Sequence, residues 1–148
     1  MDLFFQKIGD ANASLALAAI GSAIGTGVAG MAAIGAWKRA FKNNKAAPFI
    51  LIAFVGAPLS QTIYGMILRN AIQTVQWTAD TVIYGILIGI FSGMAMGMSA
   101  YFQGKAGARA SDALAETGKG FGNYIMVLGV VETVALFVMV FVMTALPS

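Results

Sequence analysis

One carboxylate, Glu132, stands where an apolar helix would have its centre. It lies in the segment 121–146, about thirteen residues after Lys119 and about fourteen before Leu146. A charged group at the bilayer centre costs roughly 2.5–3.5 kcal/mol on insertion scales, so a carboxylate there is a functional site by default. The structural alternative is a protonated acid that only hydrogen-bonds neighbouring helices. We predict that Glu132 binds and releases an ion.

An ion site needs further oxygen atoms, and a second apolar segment offers them at the matching depth. Pro58 lacks a backbone N–H, which would free a carbonyl near Gly56 or Ala57 to face a cation. A carboxylate, an amide, hydroxyls and a carbonyl suit either an alkali cation or a hydrogen-bonded carboxylic acid. The residues that we expect around Glu132 are Ala57, Ser60, Gln61, Tyr64 and Thr133.

Composition places these residues in a membrane protein. Of the 148 residues, 59% are hydrophobic and 10% are charged, and the mean hydropathy is +0.81. The charged residues are too few to cover the surface of a soluble domain of this size. A spanning helix needs about 20 apolar residues. The sequence therefore predicts an all-α membrane protein with four transmembrane helices, at Ala13 to Trp37, Pro48 to Val75, Thr81 to Phe102 and Phe121 to Leu146.

The basic residues predict the orientation of the spans. Most of them fall between the first and second spans, at 38–45, and between the third and fourth, at 103–119. By the positive-inside rule, both loops are cytoplasmic. The loop 76–80 and both termini are then extracytoplasmic, and the positive charge needs no nucleic-acid partner to explain it. The apolar run after residue 10 continues past 20 residues without a preceding basic cluster, so we expect an uncleaved span rather than a signal peptide.

The spans repeat as two tandem hairpins, 1–77 and 78–148, each with a glycine-rich helix followed by a bulky one. Residues four apart share a helix face, so the glycines form grooves that let helices approach closely. This small-residue set is Gly21, Gly25, Gly85, Gly89, Gly93 and Gly97. The string 25–30 matches G-x-G-x-x-G, but it lies inside an apolar helix and not between a strand and a helix, so we predict packing and not nucleotide binding there.

Several kinds of chemistry are excluded by what the chain does not contain. It has no Cys and no His, so a thiolate nucleophile, a Cys-based zinc site and a histidine base are absent. We therefore expect no cofactor and no catalysis by this chain alone.

The motifs resemble those of one known family. The run Pro-x-Ser-Gln-x-x-Tyr-Gly at 58–65, followed by a second hairpin with Val-Glu-Thr at 131–133, is similar to the proteolipid subunit, or subunit K, of vacuolar-type and archaeal-type rotary ATPases. The resemblance covers nearly the whole chain. It implies that Glu132 carries the ion, that Ser60, Gln61 and Tyr64 assist it, and that Leu59 replaces the carboxylate lost from the second helix.

The same resemblance implies the partners. Copies would form a ring in lipid, with the glycine-rich helices inside, and the ring would turn against a static subunit bearing an essential Arg. ATP chemistry would lie on other subunits. We also expect the loops 38–45 and 103–119 to meet a central stalk; the alternative is that their charges only set the topology and bind no partner. The alternatives are a small four-helix secondary transporter with a membrane Glu, which would want an open aromatic chamber, and a structural tetraspan protein without ion exchange.

The identity of the ion stays open at this point, with a slight preference for Na⁺ over H⁺. Gln61 and Tyr64 match the sodium-carrying members of the family. Those members also have a Gln on the third helix, in a position where we expect Met96 here, and a thioether is a poor ligand for a hard cation.

Overall fold

The computed structural model describes residues 2–147, and these form helices without any β-strand. Four helical stretches, 13–42, 49–74, 82–117 and 121–144, are long and apolar enough to cross a membrane. The predicted all-α class with four potential spans is therefore confirmed. The helices are α1 (Asp2–Ile8), α2 (Ala13–Lys42), α3 (Ile52–Gly56), α4 (Ser60–Thr74), α5 (Val82–Thr117) and α6 (Phe121–Thr144).

The second potential span is interrupted at Pro58. Short 3-10 helices, Phe49–Leu51 and Ala57–Leu59, flank α3, and the second of them joins α3 to α4. A proline removes one helical hydrogen bond and crowds the carbonyl four residues earlier, so the tighter turn accommodates it. The sequence predicted this disturbance, and it lies beside the residues expected to bind the ion.

The glycine-rich helices α2 and α5 run parallel and touch through their backbones. A Cβ atom added to Gly97 would lie 2.6 Å from the Leu17 carbonyl oxygen, and one added to Gly93 would lie 2.8 Å from that of Ala13. Gly21 abuts the backbone of Gly97 even more closely. Gly21, Gly93 and Gly97 therefore lie at a contact between α2 and α5 that leaves no room for a side chain.

The row of glycines on α5 continues to the amino-terminal end of α2, where its partners change. A Cβ atom on Gly89 would lie 2.5 Å from the Cβ of Asp10, and one on Gly85 would lie 2.9 Å from the Gly9 carbonyl oxygen. The buried Asp10 carboxylate accepts the backbone N–H groups of Asn12 at 2.9 Å and Ser14 at 3.0 Å. A carboxylate at the start of a helix is favourable because it faces unpaired N–H groups and the positive end of the dipole.

The helices extend further than predicted at the end with the basic residues. α2 continues to Lys42 and α5 to Thr117, whereas the sequence predicted span ends at Trp37 and Phe102. The expectation of a loop over 103–119 was wrong for most of its length. No proline interrupts this stretch, and its small residues remain buried against the first hairpin, as where Gly107 meets the Phe54 carbonyl oxygen.

The turn between α5 and α6 is consequently very short. Gly118 has φ +67° and Gly120 has φ +89°, values that glycine adopts readily because it has no Cβ atom. The Gly118 N–H donates to the Leu114 carbonyl oxygen at 2.8 Å, which closes α5 in the manner common at helix ends. The two helices therefore form an antiparallel hairpin with little free loop.

The backbone contact between α2 and α5 predicts a large difference between two glycines of α2. Gly25→Ala would place a methyl group against the Ala100 backbone and 3.0 Å from the Pro58 Cβ, whereas Gly27→Ala would meet nothing within 4 Å. We expect the first change to lower the free energy of unfolding by about 1–3 kcal/mol and the second to leave it unchanged or raise it slightly. Thermal unfolding in detergent, followed by circular dichroism, measures both, and equal stabilities would contradict this packing.

Candidate ion-binding site

The Glu132 carboxyl lies at the middle of α6 and is held by two side chains from other helices. It follows Phe121 by eleven residues and precedes Thr144 by twelve. The Tyr64 hydroxyl of α4 donates to Oε1 at 2.6 Å, and the Gln103 amide of α5 donates to Oε2 at 3.2 Å. Both carboxylate oxygens therefore have a partner, and the carboxyl joins three helices.

Gln103 connects this carboxyl to the second predicted partner, Gln61. Gln61 and Gln103 are both fully buried, and the Gln61 Nε2 donates to the Gln103 Oε1 at 2.9 Å. The Gln103 Nε2 also donates to the backbone carbonyl of Leu128 on α6 at 3.0 Å. Because the Gln103 oxygen is occupied by a donor, its NH₂ group is turned toward Glu132.

Ser60 and Ala57 supply the remaining polar groups that the second span contributes next to Gln61. The Ser60 hydroxyl lies 3.1 Å from the Ala57 carbonyl oxygen and 3.2 Å from the Gln61 Oε1, and its single hydrogen serves one of them at a time. The break at Pro58 thus brings a backbone carbonyl, a hydroxyl and an amide oxygen together within one helical turn. These are hard oxygen atoms, which coordinate alkali cations and accept hydrogen bonds from water.

One predicted residue does not join this group. The Thr133 hydroxyl donates to the Gly129 carbonyl oxygen of its own helix at 2.8 Å. Residues adjacent in a helix point about 100° apart, so the neighbour of a residue that faces α4 and α5 turns away from them. The expectation that Thr133 contributes to the site came from sequence adjacency, which helical geometry does not preserve.

The third potential span has the amide that the sequence predicted it to lack. Met96 is fully buried in an apolar cluster with Ala18 and Leu68, whereas Gln103, seven residues later, reaches Glu132. The expected gap at Met96 was therefore wrong. Gln103 was missed because it was assigned to a loop, and the signal that could have found it is its place two helical turns beyond Met96, on the same face.

Apolar packing lies on both sides of these polar groups. One cluster contains Ala18, Leu68, Ile72, Val75, Trp77, Met96 and Ala135, and the other contains Ala33, Ala36, Leu51, Phe54, Ala110, Leu114 and Leu128. Along α6, Leu128 belongs to one cluster and Ala135 to the other, with Glu132 between them. Polar side chains confined between two apolar layers are shielded from water, which strengthens their mutual hydrogen bonds. The arrangement can hold a proton or a small cation beside Glu132.

Comparison with known proteins finds a family model that is similar to most of the second hairpin. Residues 86–145, which are 60 of the 148 in the chain, match the family model of the ATP synthase c subunit. The match includes Glu132 and Gln103. No curated protein matches the chain. The second hairpin, with the carboxyl at its centre, is therefore similar to the c subunit of ATP synthase.

Proposed function

We propose that this chain is the ion-translocating rotor subunit of a rotary ATPase or ATP synthase. The observation that carries the proposal is a carboxyl, Glu132, held by Tyr64 and Gln103 in the middle of an apolar helix whose sequence matches the family of the ATP synthase c subunit. Such a rotor protein is not catalytic by itself, because ATP is bound and hydrolysed or made on partner subunits. The sequence motifs at 58–65 and 131–133 favour the vacuolar or archaeal type.

Electrostatics supply the mechanism. While the site faces lipid it must be neutral, as a protonated Glu132 or as a carboxylate with a bound cation, because a bare charge in hydrocarbon is strongly penalised. When rotation brings the site beside an Arg of a static subunit, an aqueous path releases the ion and the guanidinium stabilises the carboxylate. Reloading from the other side of the membrane completes the cycle and couples ion movement to torque.

The outer surface of the chain supports assembly into a ring in lipid. Only 11% of the residues in the most apolar part of α6 are buried within the chain. Most of that helix must therefore contact lipid or another protein. A ring of copies with α2 and α5 inside and α4 and α6 outside would satisfy this need. A small secondary transporter would instead need an open chamber at the carboxylate, and a large groove of about 530 Å³ is lined by Tyr84, Phe91 and Leu146, not by Glu132.

We propose Na⁺ as the carried ion. Gln103 supplies an amide on the third span, and hydrogen bonds link Glu132 through Gln103 to Gln61, Ser60 and the Ala57 carbonyl, all of which carry oxygen atoms. Rotation of either amide would turn its oxygen toward a cation, and water would complete the coordination. The competing ion is H⁺, for which the same hydrogen bonds would hold the protonated acid.

The first prediction of the proposed function concerns the Glu132 carboxyl itself. A hydrophobic carbodiimide reacts with a protonated acid that it can reach from the membrane, so we expect labelling at Glu132 and not at Glu116, which lies exposed at the end of α5. Glu132→Gln should abolish labelling and ATP-driven ion transport, while Glu116→Gln should leave the labelling of Glu132 unchanged. Mass spectrometry of labelled peptides gives the site. Transport that survives Glu132→Gln in the assembled complex would refute the proposed role.

The second prediction decides between the ions. If Na⁺ occupies the site, it should slow labelling of Glu132, and the protection should weaken as the pH falls because protons compete for the same carboxylate. Gln61→Leu or Gln103→Leu should each remove the protection, whereas Met96→Leu, in the apolar cluster, should retain it. Labelling rates are measured across Na⁺ concentrations at two pH values. Equal rates with and without Na⁺ at alkaline pH would identify H⁺ as the carried ion.

The third prediction concerns the end of the molecule that carries most basic residues, which we propose to be cytoplasmic and to meet a central stalk. Arg39 of α2 pairs with Asp112 of α5 at 2.5 Å, and both side chains are about half exposed. An exposed pair contributes at most about 1 kcal/mol to folding, so Arg39→Glu should leave the fold intact but loosen stalk attachment in a salt-dependent manner.

The control for this prediction is the charge swap Arg39→Asp with Asp112→Arg, which restores the internal pair in the opposite sense. Weak co-purification of the soluble sector with Arg39→Glu but not with the swap would attribute the effect to the internal pair and not to docking. Unchanged co-purification of both variants at every salt concentration would remove the docking proposal.

A further inference from the structure

Two hydroxyl groups on α2 are buried without a partner among the described residues. Ser22 is 2% exposed, and neither its hydroxyl oxygen nor that of Thr26 forms a hydrogen bond with protein. The usual remedy is a bond to a carbonyl of the same helix, as Ser92 and Thr133 make. A buried hydroxyl left unpaired costs about 1–3 kcal/mol, so these two groups require an explanation.

The helix register places both hydroxyls at the depth of Gln61 and Pro58 on the second span. α2 and the second span run antiparallel, and two contacts fix their alignment: a Cβ atom on Gly65 would touch Ala18, and one on Gly30 would touch Val55. Ser22 and Thr26 lie between Ala18 and Gly30 at four-residue steps, on the same helix face. Midway between Gly65 and Val55, the facing positions on the second span are those of Gln61 and Pro58.

Gln61 has an unused donor at this depth. Its amide NH₂ group has two hydrogens, and one of them is donated to the Gln103 Oε1. Gln61 is fully buried, so the second hydrogen faces protein and not solvent. Buried polar groups that lack protein partners are the usual sites of ordered water, which makes two to four hydrogen bonds.

We infer that Ser22 and Thr26 bind water behind Gln61, and that this water fixes the amide chain from Gln61 through Gln103 to Glu132. The inference rests on the proposed function, and it adds α2 to a site that is otherwise built from the second span, α5 and α6. Ser22 and Thr26 are positioning residues, because they act on the ion through the two amides. The water holds the Gln61 side chain, and through it the Gln103 side chain, at the level of Glu132.

The consequence is measurable at Glu132. An amide that is already held in place loses less conformational freedom when it binds a cation, so loosening the amide weakens cation binding beside Glu132. Ser22→Ala and Thr26→Val remove a hydroxyl with little change in volume. At a fixed alkaline pH, each should raise by about three- to tenfold the Na⁺ concentration that half-protects Glu132 from carbodiimide labelling.

Two matched variants separate this effect from general loss of packing. Ser111 of α5 is also fully buried with an unpaired hydroxyl, but it lies two helical turns beyond Gln103, so Ser111→Ala should keep the labelling profile of the unmodified protein. Thr26→Ser keeps the hydroxyl and should restore the profile that Thr26→Val shifts. Identical profiles for Ser22→Ala, Thr26→Val and Ser111→Ala would overturn the inference.

A second measurement detects the water without relying on ion transport. In lipid-embedded protein, solid-state NMR magnetisation transfer from water should reach the Gln61 side-chain amide, and Ser22→Ala should abolish it while Ser111→Ala does not. Absence of transfer in the unmodified protein would refute the bound water even if Glu132 is the ion carrier. Transfer with no carbodiimide labelling of Glu132 would refute the proposed function and, with it, any effect of the water on ion binding.

Discussion

The constraint on which this structure depends is the carboxyl of Glu132 in the centre of an apolar helix. A group of this kind must be neutral or fully partnered inside hydrocarbon, and Tyr64 and Gln103 provide a partner for each of its oxygens. These partners belong to α4 and α5, so the carboxyl fixes the relative depth of three helices. The apolar clusters on either side then follow, because the polar groups must share one level.

Close packing of α2 and α5 makes this arrangement possible. In a membrane, helices gain little from hiding apolar surface, and association depends on van der Waals contact and hydrogen bonds. Glycines at the contact bring the two backbones together, as between Gly21 and Gly97, and Gln103 stands on the same helix as Gly97. The smooth surface that holds the hairpins together therefore also sets the position of an amide that contacts the carboxyl.

The break at Pro58 and the water proposed at Ser22 and Thr26 leave several polar groups of this site able to exchange hydrogen-bond partners. Ser60 shares one hydrogen between Ala57 and Gln61, and each amide can rotate to present either an oxygen or an N–H group. On the proposed function, such a network would hold a cation in one arrangement and a protonated acid in another. Rigid helices around adaptable polar side chains would suit the proposed cycle, in which the site binds an ion firmly and then releases it.

The sequence alone determined the helical class, the four apolar stretches, the glycine-rich faces and the central carboxyl with Gln61 and Tyr64, because hydropathy, four-residue spacing and a charge in an apolar run are local signals. Only the tertiary structure decided that Gln103 belongs to the site and Thr133 does not. Helix length past the apolar stretch and side-chain direction depend on packing between hairpins. Gln103 looked like a loop residue until the continuing contact of α5 with α2 kept it helical, and Thr133 looked like a ligand until the helix turned its hydroxyl to Gly129.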